Sequence, residues 1–123
     1  MNSDPSPKRK ISEMISEMAA DFIGLGNTAE EKQNRLNAAC SAWNMACCSP
    51  EMRRKQLEQY IEAIRRFNPA HTSGNLANIG REMESLMERK LEMFPEDQRQ
   101  IVSAKVVMVG KDYRIEVESA TLQ

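Results

Sequence analysis

The sequence has few aromatic residues, a single histidine, only three cysteines and no long apolar run. Over 123 residues it carries one tryptophan, two tyrosines and three phenylalanines. Three cysteines, two of them adjacent, do not make the disulfide framework of a small secreted protein. No apolar stretch approaches the ~20 residues of a membrane span, and Met1–Lys10 lacks the apolar segment of a secretory signal. The sequence therefore predicts a cytoplasmic protein that makes no membrane contact.

The sequence also has no large excess of positive or negative charge, because its 17 basic and 18 acidic side chains leave a net charge of −1. A protein built mainly to coat nucleic acid carries a clear basic excess, so this balance does not favour that role. The apolar content of 41% is typical of a soluble globular protein. At this length, folding hides roughly two-thirds of the unfolded chain's surface. We expect a disordered arm over residues 1–10 and a single domain over residues 11–123.

Apolar residues that recur every three or four positions predict four helices. Thr28 and Glu31 form a capping box at the start of the second helix, and the turn-forming sequence NPAHTSGN at 68–75 separates the third helix from the fourth. The third helix is expected to turn an apolar stripe inward, formed by Leu57, Tyr60, Ile61, Ile64 and Phe67. The four predicted helices cover about residues 10–23, 29–48, 50–67 and 76–94.

After Pro95 the pattern of apolar residues changes to the two-residue period of a half-buried strand. Residues 113–118 alternate apolar and charged side chains, and residues 101–109 are rich in β-branched residues. Gly110-Lys111-Asp112 forms a short turn between the two segments, so they predict an antiparallel hairpin over about residues 101–122. The predicted fold class is α+β, a four-helix N-terminal bundle followed by a C-terminal antiparallel β-hairpin.

The three cysteines surround the only tryptophan on the second predicted helix. Cys40 and Cys47 share the face of Trp43 but lie about 10 Å apart along the axis. Two thiolates on one zinc ion lie within about 4 Å of each other, and a disulfide needs Cα atoms within about 7 Å. An intact helix therefore allows neither arrangement. We predict core thiols, no metal and no cofactor, with Cys48 as the one thiol expected to be accessible.

Basic residues of the third helix and the following loop form the predicted partner-binding surface. Glu58 and Glu62 lie on the same side of that helix, at the spacing of intrahelical ion pairs, so the surface is mixed in sign. The predicted partner-binding residues are Arg54, Lys55, Arg65, Arg66 and His71.

The hairpin carries more apolar surface than a two-stranded ribbon can hide. Residues 106–109 are apolar on both faces, an isolated hairpin is marginal in water, and its outer edges expose unpaired backbone groups. A second copy of the chain, joined edge to edge or face to face, is the simplest remedy. The fourth helix adds a short seam of Leu76 and Met83, which Lys90 interrupts, so that the seam would serve either the dimer or a contact within the chain's own bundle. The predicted dimer contacts are Val107, Val109, Tyr113, Ile115 and Val117.

We interpret the chain as a small non-catalytic binding or regulatory protein that forms a homodimer and binds a protein partner. One alternative is a nucleic-acid-associated regulator that uses Lys8-Arg9-Lys10 and the basic residues of the third helix, with salt-sensitive affinity. The other is a thiol- or histidine-dependent enzyme built on Cys48 and His71, which requires an activated thiolate.

Overall fold

The computed structural model describes residues 9–67 and 73–120. It contains four helices followed by an antiparallel hairpin, so the predicted α+β architecture is confirmed. His71 and residues 1–8 of the predicted arm lie outside the described residues, as do residues 121–123 at the end of the hairpin. The elements are α1 Ile11–Gly24, α2 Ala29–Ala46, α3 Pro50–Phe67, α4 Ser73–Met93, β1 Gln100–Val109 and β2 Asp112–Ala120.

Helices α2 and α4 differ from the predicted spans at their ends. α2 ends at Ala46 rather than at residue 48, because the Cys48 N–H bonds to the Met45 carbonyl three residues back, at 3.0 Å, instead of continuing the four-residue pattern. α4 begins at Ser73, so the turn-forming pair Gly74-Asn75 lies in its first turn. Such residues are tolerated there, since the first amides of a helix have no intrahelical partner.

Helix α2 lies at the centre of the fold and packs against α1, α3, α4 and β1. Its predicted capping box is present: the Thr28 hydroxyl accepts from the Glu31 N–H at 3.1 Å, and the Glu31 carboxylate accepts from the Asn27 N–H at 3.2 Å. Leu36 and Trp43 on its inner side are fully buried. The Trp43 ring contacts the Phe94 ring, with centroids 5.9 Å apart.

The hairpin turns through two residues, Gly110 and Lys111. Gly110 has a φ of 63°, as the first position of a type II′ turn requires. A bulge shifts the register between Ile101 and Ser103. The inner face of the sheet packs against the helical core through Ala104, Val106, Tyr113, Ile115 and Val117.

Helix α3 is the least buried helix of the fold. None of its residues, all of which the structure describes, is buried, and among the described elements it contacts α2 and α4 alone. Gly80 of α4 permits this contact, because a Cβ there would lie 3.2 Å from Ile61 Cδ1. Phe67 is 85% exposed, so the prediction that it faces inward is wrong. As the last residue of α3, it has no described element packed over it.

None of the helices within residues 9–67 and 73–120 combines the length and the apolar character needed to span a bilayer.

Candidate functional site

The three cysteines are free thiols whose environments follow from their positions on and after α2. Burial raises the pKa of Cys40 to about 12. Burial also raises the pKa of Cys47, although the nearby Lys90 ammonium acts in the opposite direction. The Cys48 thiol is half-buried and donates to the Asn44 carbonyl at 3.6 Å. Because the thiolate is the reactive species, Cys40 and Cys47 are held in their unreactive form.

Lys90 is fully buried on the core side of α4. Its Nζ donates to the Asp97 carbonyl at 2.6 Å and lies 5.0 Å from the centre of the Trp43 ring. A buried ammonium costs several kcal/mol unless such partners replace its water. The sequence predicted only that Lys90 interrupts an apolar seam. Its spacing from Met83 placed it on the inward side of α4, which was the available signal of burial.

The loop between α4 and β1 is held by a compact group of polar contacts. The Asp97 carboxylate accepts from Arg99 Nε at 3.0 Å and from Arg99 Nη2 at 2.6 Å, with both side chains mostly buried. This hydrogen-bonded pair raises the pKa of Arg99 above its ordinary value. Trp43 Nε1 donates to the Arg99 carbonyl at 2.8 Å. With their polar groups paired to one another, these residues form a structural support for the entry to β1.

Two amide side chains of α2 cover the outer edge of β1. Asn44 donates to the Ile101 carbonyl at 3.0 Å and accepts from the Ile101 N–H at 2.8 Å. Gln33 donates to the Ala104 carbonyl at 3.0 Å and accepts from the Val106 N–H at 2.7 Å. These are the backbone groups that a further strand would use. Four outward backbone groups of β1 between Ile101 and Val106 are therefore occupied by side chains of α2.

The outer edge of β2 has no such cover. Because the bonded groups of Ala104 and Val106 point away from β2, their cross-strand partners Val117 and Ile115 must direct their own groups away from β1. Tyr113 follows the same alternation. Within the described part of the chain, no donor or acceptor bonds to these outward groups. We call the outward N–H and C=O groups of Tyr113, Ile115 and Val117 the open edge.

The five predicted dimer residues lie on two faces of the hairpin. The side chains of Tyr113, Ile115 and Val117 pack against the chain's own helices, although their backbone forms the open edge. Val107 and Val109 lie on the opposite face, across from Arg114 and Asp112. The helices thus cover the inner face, while on the outer face Val109 is exposed and Val107 is half-buried. The homodimer itself stays a prediction.

The four described residues of the predicted partner-binding surface, Arg54, Lys55, Arg65 and Arg66, are all exposed. Arg65 pairs with Glu62, and this hydrogen-bonded pair lowers the pKa of the glutamate. The surface is therefore mixed in sign, but the pair that forms has a three-residue spacing, and neither of the four-residue pairs expected from the sequence, Arg54 with Glu58 and Glu62 with Arg66, is present among the described residues of α3. His71, the fifth predicted residue, lies outside the described residues.

An apolar groove runs beside α3. One hollow of about 370 Å³ lies between α3, α2, α4 and the end of α1, and a second of about 360 Å³ continues from it along α1 and α4. The two share Phe22 and Glu82, and we call them together the α3 groove. Sequence reasoning assigned its apolar residues to the core without separating buried positions from accessible ones. Its apolar lining consists of Phe22, Leu25, Ala38, Tyr60, Ile64, Ile79, Met83 and Leu86.

Most charged groups on the rim of the α3 groove have partners. The Arg35 guanidinium lies 4.8 Å from the centre of the Phe22 ring and donates to the Phe22 carbonyl at 3.2 Å. Arg89 pairs with Asp21 at 2.9 Å. Glu82, at the junction of the two hollows, makes no ion pair with any residue that the structure describes. It is therefore the rim charge that remains available to a ligand.

Metal chemistry finds no support in the described ranges 9–67 and 73–120. They contain no group of three or more histidine, cysteine, aspartate or glutamate side chains arranged to hold an ion.

Comparison of the chain with protein families, with curated proteins and with solved structures gives no match.

Proposed function

We propose that this protein is a small non-catalytic binding protein whose α3 groove receives an apolar helical segment of a partner protein. One observation carries the proposal: α3 is amphipathic, yet none of its residues is buried, and its inner side borders the apolar groove. A partner that filled the groove would remove this apolar surface from water, which is the main driving force of association.

The walls of the groove favour a helix over an extended peptide. They are formed by α1, α2, α3 and α4, and helices satisfy most of their own backbone groups. An extended segment would find few backbone partners there, whereas an incoming helix satisfies its own groups internally. A helix that docks in this way presents apolar side chains at every third or fourth position. Two hollows in succession suit two successive turns of such a face.

The free charge on the rim adds a chemical preference. Glu82 borders both hollows and has no ion-pair partner among the described residues. A lysine or arginine beside the apolar face of the bound helix would form a charge-assisted hydrogen bond with it. The expected ligand is therefore an amphipathic helix with a basic residue next to its apolar stripe.

Methyl NMR tests this proposal on the whole chain. Isoleucine, leucine and methionine methyl groups are labelled, and two designed amphipathic helical peptides that differ only by Lys or Glu beside the apolar stripe are titrated. We expect shifts at Leu25, Ile64, Ile79 and Met83, with tighter binding of the Lys peptide. The Glu82→Lys variant should reverse the preference between the peptides. Unshifted groove methyls, or an unchanged preference in Glu82→Lys, would refute the proposal.

A pair of lysine substitutions distinguishes binding in the groove from nonspecific binding to exposed apolar surface. Ile64→Lys introduces a charge into the groove and should abolish peptide binding. Val109→Lys changes an exposed apolar residue on the hairpin, away from the groove lining, and should leave binding unchanged. Equal effects of the two variants would show that the peptides do not use the groove.

A nucleic-acid-associated role is the second candidate, because Arg54 and Lys55 are exposed and neither makes an ion pair within the described part of the chain. It predicts DNA or RNA affinity that falls steeply with salt, since phosphate contacts release counterions. Replacing both residues with alanine should flatten that salt dependence. Absence of measurable affinity at low salt would eliminate this candidate.

A further inference from the structure

We propose that two copies of this chain join through the open edge of β2. The two hairpins would form a continuous antiparallel sheet in the order β1, β2, β2 of the second copy and β1 of the second copy. A two-fold axis would pass beside Ile115. This surface is separate from the α3 groove and does not depend on the function proposed for it.

The difference between the two edges of the hairpin is the first argument. A row of unpaired backbone groups is a template for another strand. This chain closes the edge of β1 with Gln33 and Asn44. On β2, no described residue bonds to the open edge. β2 also has no proline within Asp112–Ala120, and the bulge of the hairpin lies on β1; prolines and bulges are common ways of blocking an edge.

Space beside β2 is the second argument. A hollow of about 450 Å³ lies between the polar side of α1 and the strand, and it reaches Tyr113, Arg114 and Ile115. The α1 side of this hollow includes two small residues, Ser12 and Ser16. The lining also includes the exposed charged side chains of Arg9, Glu13 and Glu17. An approaching strand therefore meets the solvated polar face of α1 along this part of β2 rather than a packed apolar contact.

The positions of the outward groups limit the register. In an antiparallel pair, both strands must contribute outward-pointing residues to each hydrogen-bonded pair. Placing Ile115 opposite Ile115 of the second copy pairs Tyr113 with Val117 of the second copy. By symmetry, Val117 pairs with Tyr113 of the second copy. This arrangement uses all three positions of the open edge and forms about six backbone hydrogen bonds. The inward side chains then make an unbroken apolar row from one hairpin to the other.

Charge on the outer face favours this register and identifies the occupant as a second copy. Arg114 pairs with Glu116 of its own copy, Nη2 to Oε2 at 3.1 Å, and centring on Ile115 also places it opposite Glu116 of the second copy, twice by symmetry. Centring the axis one residue earlier would oppose two copies of Arg114, and one residue later two copies of Glu116. The favoured register also sets Asp112 opposite Glu118 of the second copy, but at the ends of the paired segment, where water and salt screen the repulsion. The strand is thus complementary to itself at its centre.

Hydrogen exchange over a concentration series, with sedimentation on the same samples, tests the edge directly. As the dimer forms, we expect the amides of Tyr113, Ile115 and Val117 to gain protection together. The amides of Arg114 and Glu116 already bond to β1 and provide the internal reference. A monomer at all concentrations would overturn the proposal. So would a dimer without new protection at these amides, because it would use another surface.

Charge reversal tests the register. Arg114→Glu or Glu116→Arg alone should weaken the dimer about tenfold, since each creates two repulsive pairs by symmetry. The double variant should restore association, because it re-forms both attractive pairs. Glu92→Arg reverses an exposed charge on α4 and should change nothing. Failure of the double variant to restore the dimer would rule out this register.

Mixed disulfide crosslinking gives an independent reading of the register. In chains with Cys48→Ser, Arg114→Cys protein is mixed with Glu116→Cys protein. Residues in non-hydrogen-bonded pairs lie about 4.5 Å apart between Cα atoms, close enough for a disulfide. We expect rapid crosslinking in the mixture and little in either protein alone. Rapid crosslinking of Glu116→Cys by itself would place the axis at Glu116 and contradict the proposal.

Discussion

The two strands of the hairpin run side by side, yet their surroundings differ. β1 lies against α2, which supplies amide partners to its outer edge, and the loop before it is held by Lys90 and Trp43. β2 packs its side chains on the core but keeps an open edge. The helices show the same division, because α2 carries many buried residues and α3 none. We call α2, β1 and the loop before β1 the closed side, because their polar groups are paired internally, and α3 and β2 the open side, because their free surfaces are left for partners.

Removal of the Lys90 side chain should have the largest effect on the closed side. Lys90→Ala leaves a cavity and removes the ammonium that donates to the Asp97 carbonyl, and we expect a loss of about 2–5 kcal/mol in the free energy of unfolding. Lys90→Met keeps most of the volume without a charge to desolvate and should cost less than about 1.5 kcal/mol. Urea unfolding followed by circular dichroism measures both. Lys111→Ala, at the exposed hairpin turn, is the control; an equally small effect of Lys90→Ala would contradict the role assigned to Lys90.

Loss of the amide cover on β1 should come next. Asn44→Ala leaves the Ile101 N–H and C=O without partners, and we expect about 1–3 kcal/mol of destabilisation. Hydrogen exchange at the Ile101 amide should accelerate, while the Val106 amide, held by Gln33, should change less. Asn34→Ala on the exposed side of α2 should stay within about 0.5 kcal/mol of the native protein. Unchanged exchange at Ile101 would argue against the edge-covering role of Asn44.

The buried thiol of Cys40 should make stability depend on alkaline pH. Its pKa is raised from 9.0 to about 12 in the folded protein, so above pH 9 the unfolded chain loses this proton first. The contribution is fully present below pH 9 and is lost as pH rises toward 12, by up to about 1.4 kcal/mol per pH unit. Comparison with Cys40→Ala between pH 8 and 10.5 isolates the effect. Parallel pH profiles for the two proteins would show that Cys40 is not buried.

Substitution on the open side should have the smallest effect on stability. Phe67 is 85% exposed at the end of α3, so Phe67→Ser should change the free energy of unfolding by less than about 0.5 kcal/mol. The same urea experiment measures it. A loss of 2 kcal/mol or more, in the ~2–5 kcal/mol range of core truncations, would mean that α3 is packed more tightly than its exposure indicates, and the contrast between the two sides would fail.

Several local features followed directly from the sequence. The Thr28–Glu31 capping box and the turn at Gly110 depend on residues only a few positions apart, so their chemistry is readable without a fold. The placement of Cys40 and Cys47 beside Trp43 depends on helix geometry alone. The early start of α4 was missed because Gly74-Asn75 is typical of a turn, although both residues are tolerated in a first turn.

The partners of polar side chains could not be predicted in this way. Gln33 and Asn44 bond to a strand more than fifty residues away along the chain, and nothing in their own neighbourhood distinguishes them from the exposed Asn34. The inward direction of Phe67 was predicted from helical period, which gives a face but not how far the neighbouring helices extend over it. The α3 groove could not be predicted either, because helical period does not show where the neighbouring helices leave a gap.

The sequence alone determined the number and kind of elements, because the period of apolar residues and the chemistry of caps and turns act over a few positions. The tertiary structure decided which surfaces were closed and which stayed open. Whether a strand edge, a lysine or an apolar helix face finds a partner depends on residues brought together from distant parts of the chain. Local sequence patterns do not show which distant residues come into contact. The contacts proposed for this protein depend on those tertiary contacts.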